Sequence, residues 1–152
     1  MTNKDLYNFQ TTAKIVNKYF KIEAENELSL SFKGYGETVN KYFSLQDNNF
    51  GDIYSLIGEC NFWENYISEI SNIVQYKYMQ YVDELEVLKS DFDRYIPDFE
   101  LDDKIDKLKT KIKHFLNFTK QLKAQKNFFN KAYFHCYKLY CKSLESSKKA
   151  FN

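Results

Sequence analysis

Apolar residues recur at steps of three, four and seven along most of this chain, the spacing of α-helices with one buried face. In the first segment they are Leu6, Phe9, Ala13, Val16 and Phe20, then Leu28, Phe32, Tyr35, Val39 and Tyr42. Gly34 and Gly36 interrupt the run, and each costs about 1 kcal/mol relative to Ala in a helix interior. The spacing therefore predicts one helix over residues 5–45 with a kink at the glycines. A short strand from Leu28 to Phe32, where leucine alternates with serine, is the weaker alternative.

After the polar turn at Gln46 to Asn49, Asn49 and Asp52 have the spacing of a capping box, in which a side chain accepts from orphan backbone N–H groups. The second stripe carries Ile53, Leu56, Ile57, Cys60, Trp63, Ile67, Ile70, Val74, Tyr78, Tyr81, Leu85, Leu88 and Phe92. It predicts a helix over 50–96 that stops at Pro97, which lacks an N–H and restricts Ile96. Asp102 and Asp103 then place negative charge at the start of a third helix, over 102–150. Its apolar positions are Ile105, Leu108, Ile112, Phe115, Leu122, Phe129, Tyr133, Cys136, Tyr140 and Leu144. The expected fold is all-α: a single domain over 1–152, built as an elongated three-helix antiparallel coiled-coil bundle joined by short turns.

Charge changes this picture. From Lys107 to Asn152 there are twelve lysines, no arginine and one carboxylate, Glu145. The first hundred residues hold nine Lys/Arg against seventeen Asp/Glu, so a net charge of +1 conceals two opposed parts. At 100° per residue, Lys109, Lys113, Lys120, Lys131, Lys138, Lys142 and Lys149 fall within an arc of about 60°, nearly opposite the apolar stripe. An ordinary solvated face mixes signs through Glu–Lys pairs one turn apart; here the acids are missing. The stripe is therefore the candidate anion-binding surface. Lysine acts on phosphates as a point charge and does not supply the bidentate fork that reads bases.

Composition adds two limits. With 14 Phe and 13 Tyr but four Gly and one Pro, the chain has few breakers and many rings that are apolar with a polar tip. The cysteines, Cys60, Cys136 and Cys141, are odd in number and form no C-x-x-C. With no basic-then-apolar start like that of a signal peptide, they point to a reducing, cytoplasmic setting. No uncharged stretch approaches the roughly 18 residues that span a bilayer.

Chemistry is hard to build from these residues, and the expectation is that the chain is not an enzyme. The two histidines, His114 and His135, sit on the third segment. His135 cannot activate its neighbour Cys136, because adjacent residues on a helix diverge by about 100°. No spacing supplies four convergent metal ligands, so neither a metal nor a cofactor is expected. Gly34 and Gly36 lack the third glycine of a nucleotide-binding turn. The aromatics Phe128, Phe129, Tyr133, Phe134, Tyr137 and Tyr140 suit core packing and subunit contact better than base stacking, which is usually displayed on a sheet or groove. Trp63, Phe128 and Phe134 are the candidates for a dimer interface.

Four stretches, Leu30 to Glu37 (LSFKGYGE), Tyr42 to Gln46 (YFSLQ), Ile53 to Glu59 (IYSLIGE) and Tyr76 to Lys89 (YKYMQYVDELEVLK), resemble the helix-junction and second-helix patterns of the BAR domains of sorting nexins. They cover about a third of the chain and are helix-face patterns. The resemblance implies a crescent-shaped dimer of three-helix coiled coils that binds curved, anionic endosomal membranes, phosphoinositides among their lipids. The expected function is thus a non-enzymatic scaffold in trafficking, peripheral to the membrane, that binds anionic membranes or coat partners and acts as a homodimer or heterodimer. The alternative is a small helical nucleic-acid-binding or nucleic-acid-mimic adaptor of a virus or mobile element. A third reading is a structural coiled-coil subunit whose lysine face docks on an acidic helix of its partner.

Overall fold

The computed structural model describes residues 1–23, 31–92 and 99–151, with the side chains of 20–23, 91–92 and 149–151 outside the description. The described residues form four helices: α1 (Asn3–Glu23), α2 (Tyr35–Phe43), α3 (Phe50–Phe92) and α4 (Phe99–Phe151). The all-α content holds. The three-helix plan does not, because the expected first helix over 5–45 is two elements.

Gly34 is the reason for the second element. Its φ of 84° is the left-handed backbone conformation, which an L side chain adopts only at a cost and which no helix interior contains. The glycine does not kink a helix; it starts one. The Tyr35 N–H donates to the Phe32 carbonyl at 3.1 Å to close the turn, and the Thr38 N–H donates to Gly34 at 3.1 Å to open α2. Gly36 lies inside α2. The strand considered over Leu28 to Phe32 falls mainly outside the described residues, as does the break at Pro97.

The starts of α1 and α3 follow side-chain capping. Thr2 and Asp5 exchange bonds at the head of α1: Asp5 N–H donates to Thr2 Oγ1 at 3.1 Å, and Thr2 N–H to Asp5 Oδ2 at 3.0 Å. This reciprocal pair satisfies two orphan donors, and the Thr2 donors hold the Asp5 carboxyl below its ordinary pKa. Asn49 caps α3 as its spacing suggests, with its Oδ1 accepting from Asp52 N–H at 3.1 Å.

The chain folds into two compact units, which replace the expected elongated coiled coil. The first contains Ser31–Ser68 and Lys123–Asn152, and so combines α2 with the front of α3 and the back of α4. Its core is Tyr35, Val39, Ile53, Leu56, Cys60, Trp63, Ile67, Phe129, Ala132 and Cys136, all buried. The second contains Thr2–Leu30 and Glu69–Leu122, combining α1 with the back of α3 and the front of α4. There Phe9 stacks on Phe118 with centroids 5.7 Å apart, and Tyr81 meets Phe115 edge-on at 5.0 Å. Val16, Val74, Leu108 and Leu122 are buried in the same unit. Each such side chain contributes on the order of 1.5–3 kcal/mol by leaving water.

Candidate functional site

The lysine positions divide between the units. In the second unit, Lys109, Lys113 and Lys120 are exposed on α4; in the first, Lys131, Lys138 and Lys142 are exposed. The side chain of Lys149 lies outside the described set. Among the described residues, no carboxylate stands within ion-pair distance of those six; the second unit's Lys107 pairs with Asp103 at 2.9 Å, one turn away. Lys111, off the stripe, lies over the rings of Tyr81 at 4.8 Å and Tyr19 at 5.4 Å, where the ring quadrupole attracts it.

The first unit holds the densest cationic surface. Lys123, Lys126, Lys131, Lys138, Lys142 and Lys148 are all exposed on its part of α4, against one carboxylate, Glu145. The unit's other acids lie elsewhere and several are occupied. Glu59 takes Lys41 Nζ and Ser55 Oγ, each at 2.9 Å, and Asn130 Nδ2 donates to Glu64 at 3.0 Å. Burial opposes the Glu59 charge, but the donors Lys41 and Ser55 outweigh it and hold the carboxyl below its ordinary value. Thr38 joins this network, with its hydroxyl 3.3 Å from Glu59 Oε1 and accepting from Trp63 Nε1 at 3.3 Å.

The three expected dimer contacts separate. Trp63 is buried in the first unit and enclosed by Phe32, Tyr35, Phe62 and Tyr66. Phe128 is half-buried and covered by Tyr42 and Phe43 of α2, at 5.6 and 5.7 Å. Phe134 alone is largely open, at 54 % exposure.

A second surface of the first unit is only half legible in the sequence. α3 and α4 run antiparallel here: Glu64 meets Asn130, while Phe50 and Tyr54 both meet the ring of Tyr140, at 5.4 and 6.1 Å. On that flank lie Phe50, Tyr54 and Ile57 of α3 with Tyr133, Tyr137 and Tyr140 of α4. Phe50, Tyr54 and Tyr137 are exposed and the other three are half-buried. α2 occupies the other flank, where Thr38, Lys41 and Tyr42 reach Trp63, Glu59 and His135. Its α4 half belongs to the aromatic group evident in the sequence; its α3 half is remote in sequence and joins it only by antiparallel pairing.

Among the described residues, the histidines and the buried cysteines do not form a nucleophile–base pair. His135 is exposed with Nδ1 3.0 Å from the Tyr42 hydroxyl, and His114 packs beside Tyr19 in the second unit. Cys60 and Cys136 are buried free thiols. Burial pushes the Cys60 thiol up to about 12 and raises that of Cys136, so both stay protonated and poorly nucleophilic at neutral pH. Among the described residues, no three His, Cys, Asp or Glu side chains cluster as a metal site, and no helix is long and apolar enough to cross a membrane.

Comparison with family models, curated proteins and solved structures finds no match to this chain. The likeness to sorting-nexin BAR domains thus gains no support from these comparisons, and four helices in two compact units depart from the three-helix arm that it implies. The BAR-like membrane scaffold is corrected on both grounds. The nucleic-acid-binding or mimic adaptor likewise finds no support in fold or relatives, and the coiled-coil dimer falls with the architecture on which it rested.

Proposed function

We propose that this protein is a non-catalytic helical binding module whose α4 surface in the first unit receives an acidic surface of another protein. The supporting observation is the run of exposed lysines at 123, 126, 131, 138, 142 and 148, which face a single local carboxylate, Glu145. Like charges held along one rigid helix repel one another, and an acidic partner relieves that repulsion while steering association. Phe134, exposed among these lysines, adds the aromatic character that protein interfaces enrich.

Fluorescence anisotropy with labelled polyglutamate tests this reading on the full chain. Binding is expected, weakening as salt shortens the Debye length from about 10 Å at 0.1 M, and lost in the triple variant Lys131→Glu, Lys138→Glu, Lys142→Glu. Anionic vesicles and duplex DNA serve as competitors. Binding confined to either of them, or unaffected by the triple reversal, overturns the reading.

A further inference from the structure

The tyrosine-lined flank between α3 and α4 deepens this reading and rests on it. We infer that the partner is an acidic amphipathic helix, seated lengthwise against Phe50, Tyr54, Ile57, Tyr133, Tyr137 and Tyr140 in the first unit, with its carboxylates toward the α4 lysines.

The argument begins with a missing neighbour. Within the first unit three helical segments pack together, and α2 covers only one flank of the α3–α4 pair. On that flank polar groups are matched: Lys41 with Glu59, Trp63 with Thr38, Tyr42 with His135. The other flank carries large rings over which no further described element is laid; Tyr54 is 65 % and Tyr137 49 % exposed. Two antiparallel helices leave between them a shallow channel that takes a third along its length, and an amphipathic helix in such a channel is a recurrent recognition mode. Tyrosine suits its floor: each ring gives apolar area at small entropic cost, and each hydroxyl can donate to a carboxylate.

Charge selects the occupant. The one carboxylate on this flank of α3, Glu64, is held by Asn130. On α4, Lys126 and Lys148 stand eleven residues before and after Tyr137, a spacing that brings both within about 20° of its face. A basic helix would meet these lysines head-on; an apolar helix with acidic borders meets rings at its centre and lysines at its edge. That is the distribution of an interface, with aromatics in the core and charge on the rim.

Two labelled helical peptides of equal negative charge separate the contributions. One carries a leucine stripe; in the other those leucines are glutamine. The wild-type chain is expected to bind the first at least about tenfold more tightly, a difference of about 1.4 kcal/mol. The double variant Tyr54→Ser, Tyr137→Ser changes exposed rings, and circular dichroism checks that it keeps its helices. It is expected to bring the first peptide down to the level of the second and leave the second unchanged. Reversal of the lysines on that face, Lys126→Glu with Lys148→Glu, should weaken both. Equal affinity for both peptides, or an unchanged ratio in the tyrosine variant, overturns the helix seat while leaving the charged surface standing. Loss of the ratio with no effect of the lysine reversal overturns the charge reading while the seat survives. No binding of either peptide overturns both.

Discussion

Tyr35 shows how much one side chain can carry in a thin helical unit. Its ring meets Phe32, Trp63 and Phe129 edge-on, at 5.8, 5.2 and 5.3 Å, and its hydroxyl donates to Gln125 Oε1 in the buried interior. Tyr35→Phe keeps the ring and strands the Gln125 acceptor, for an expected loss of about 1–3 kcal/mol in urea unfolding. Glu59 makes a pH-dependent contribution. Its carboxyl sits below the ordinary 4.5 in the fold, so its stabilisation is fully present above that value and disappears as pH falls through the lower, folded one. Urea midpoints taken across that acidic window should fall for the wild type and fall less for Glu59→Gln. Little of this was legible in the sequence. Tyr35 and Gln125 are ninety positions apart, and a glutamine on an apolar stripe reads as a gap until its partner is known. The same stripe on α4 buries Phe118, Gln125 and Ala132, which complete alternating steps of three and four. Trp63 lay on its own stripe between Cys60 and Ile67, so its burial could be read; the cover over Phe128 could not, because it depends on α2.

At the scale of the element, two glycines in similar settings have opposite worth. Neither Gly34 nor Gly58 has an atom within 4 Å of where a Cβ would stand. Only backbone conformation separates them. Gly34 has φ 84°, and Gly34→Ala is expected to destabilise by about 1 kcal/mol or slightly more. Gly58 is an exposed residue in the interior of α3, where alanine is the better helix former, and Gly58→Ala is expected to stabilise by about 0.4–1 kcal/mol. Thermal melts of the pair decide the matter, and equal signs would refute the argument. The apolar periodicity announced α3 and α4 because long stripes are robust to local exceptions. It fused α1 and α2 because φ at a glycine is not written in spacing.

The molecule as a whole is two units that share two helices. A helix unravels cooperatively, because each hydrogen bond it loses makes the next easier to lose. Damage in one unit is therefore expected to reach the other along α3 and α4. Phe9 is fully buried in the second unit, and Phe9→Ala should cost about 3–5 kcal/mol. Native-state hydrogen exchange should then show faster exchange at Leu56 to Cys60, in the first unit, as well as at Ile70 to Val74. Protection unchanged at the former would mean that the units open independently. Charge behaves differently at this scale: the near-neutral total hides lysines concentrated on α4, a bias readable from composition, while the aromatic flank between α3 and α4 is not.

The enclosure of Trp63 also gives the protein a lamp of its own. It is the one tryptophan in the chain, set against Tyr35 at 5.2 Å and Tyr66 at 5.6 Å, with its indole N–H held by Thr38. Light absorbed by those tyrosines passes to the indole, whose emission shifts to the blue in an apolar setting. Phe32, Tyr35 and Thr38 all come from the stretch that Gly34 bends into α2. The colour of that emission should therefore report whether α2 is seated, with no label added.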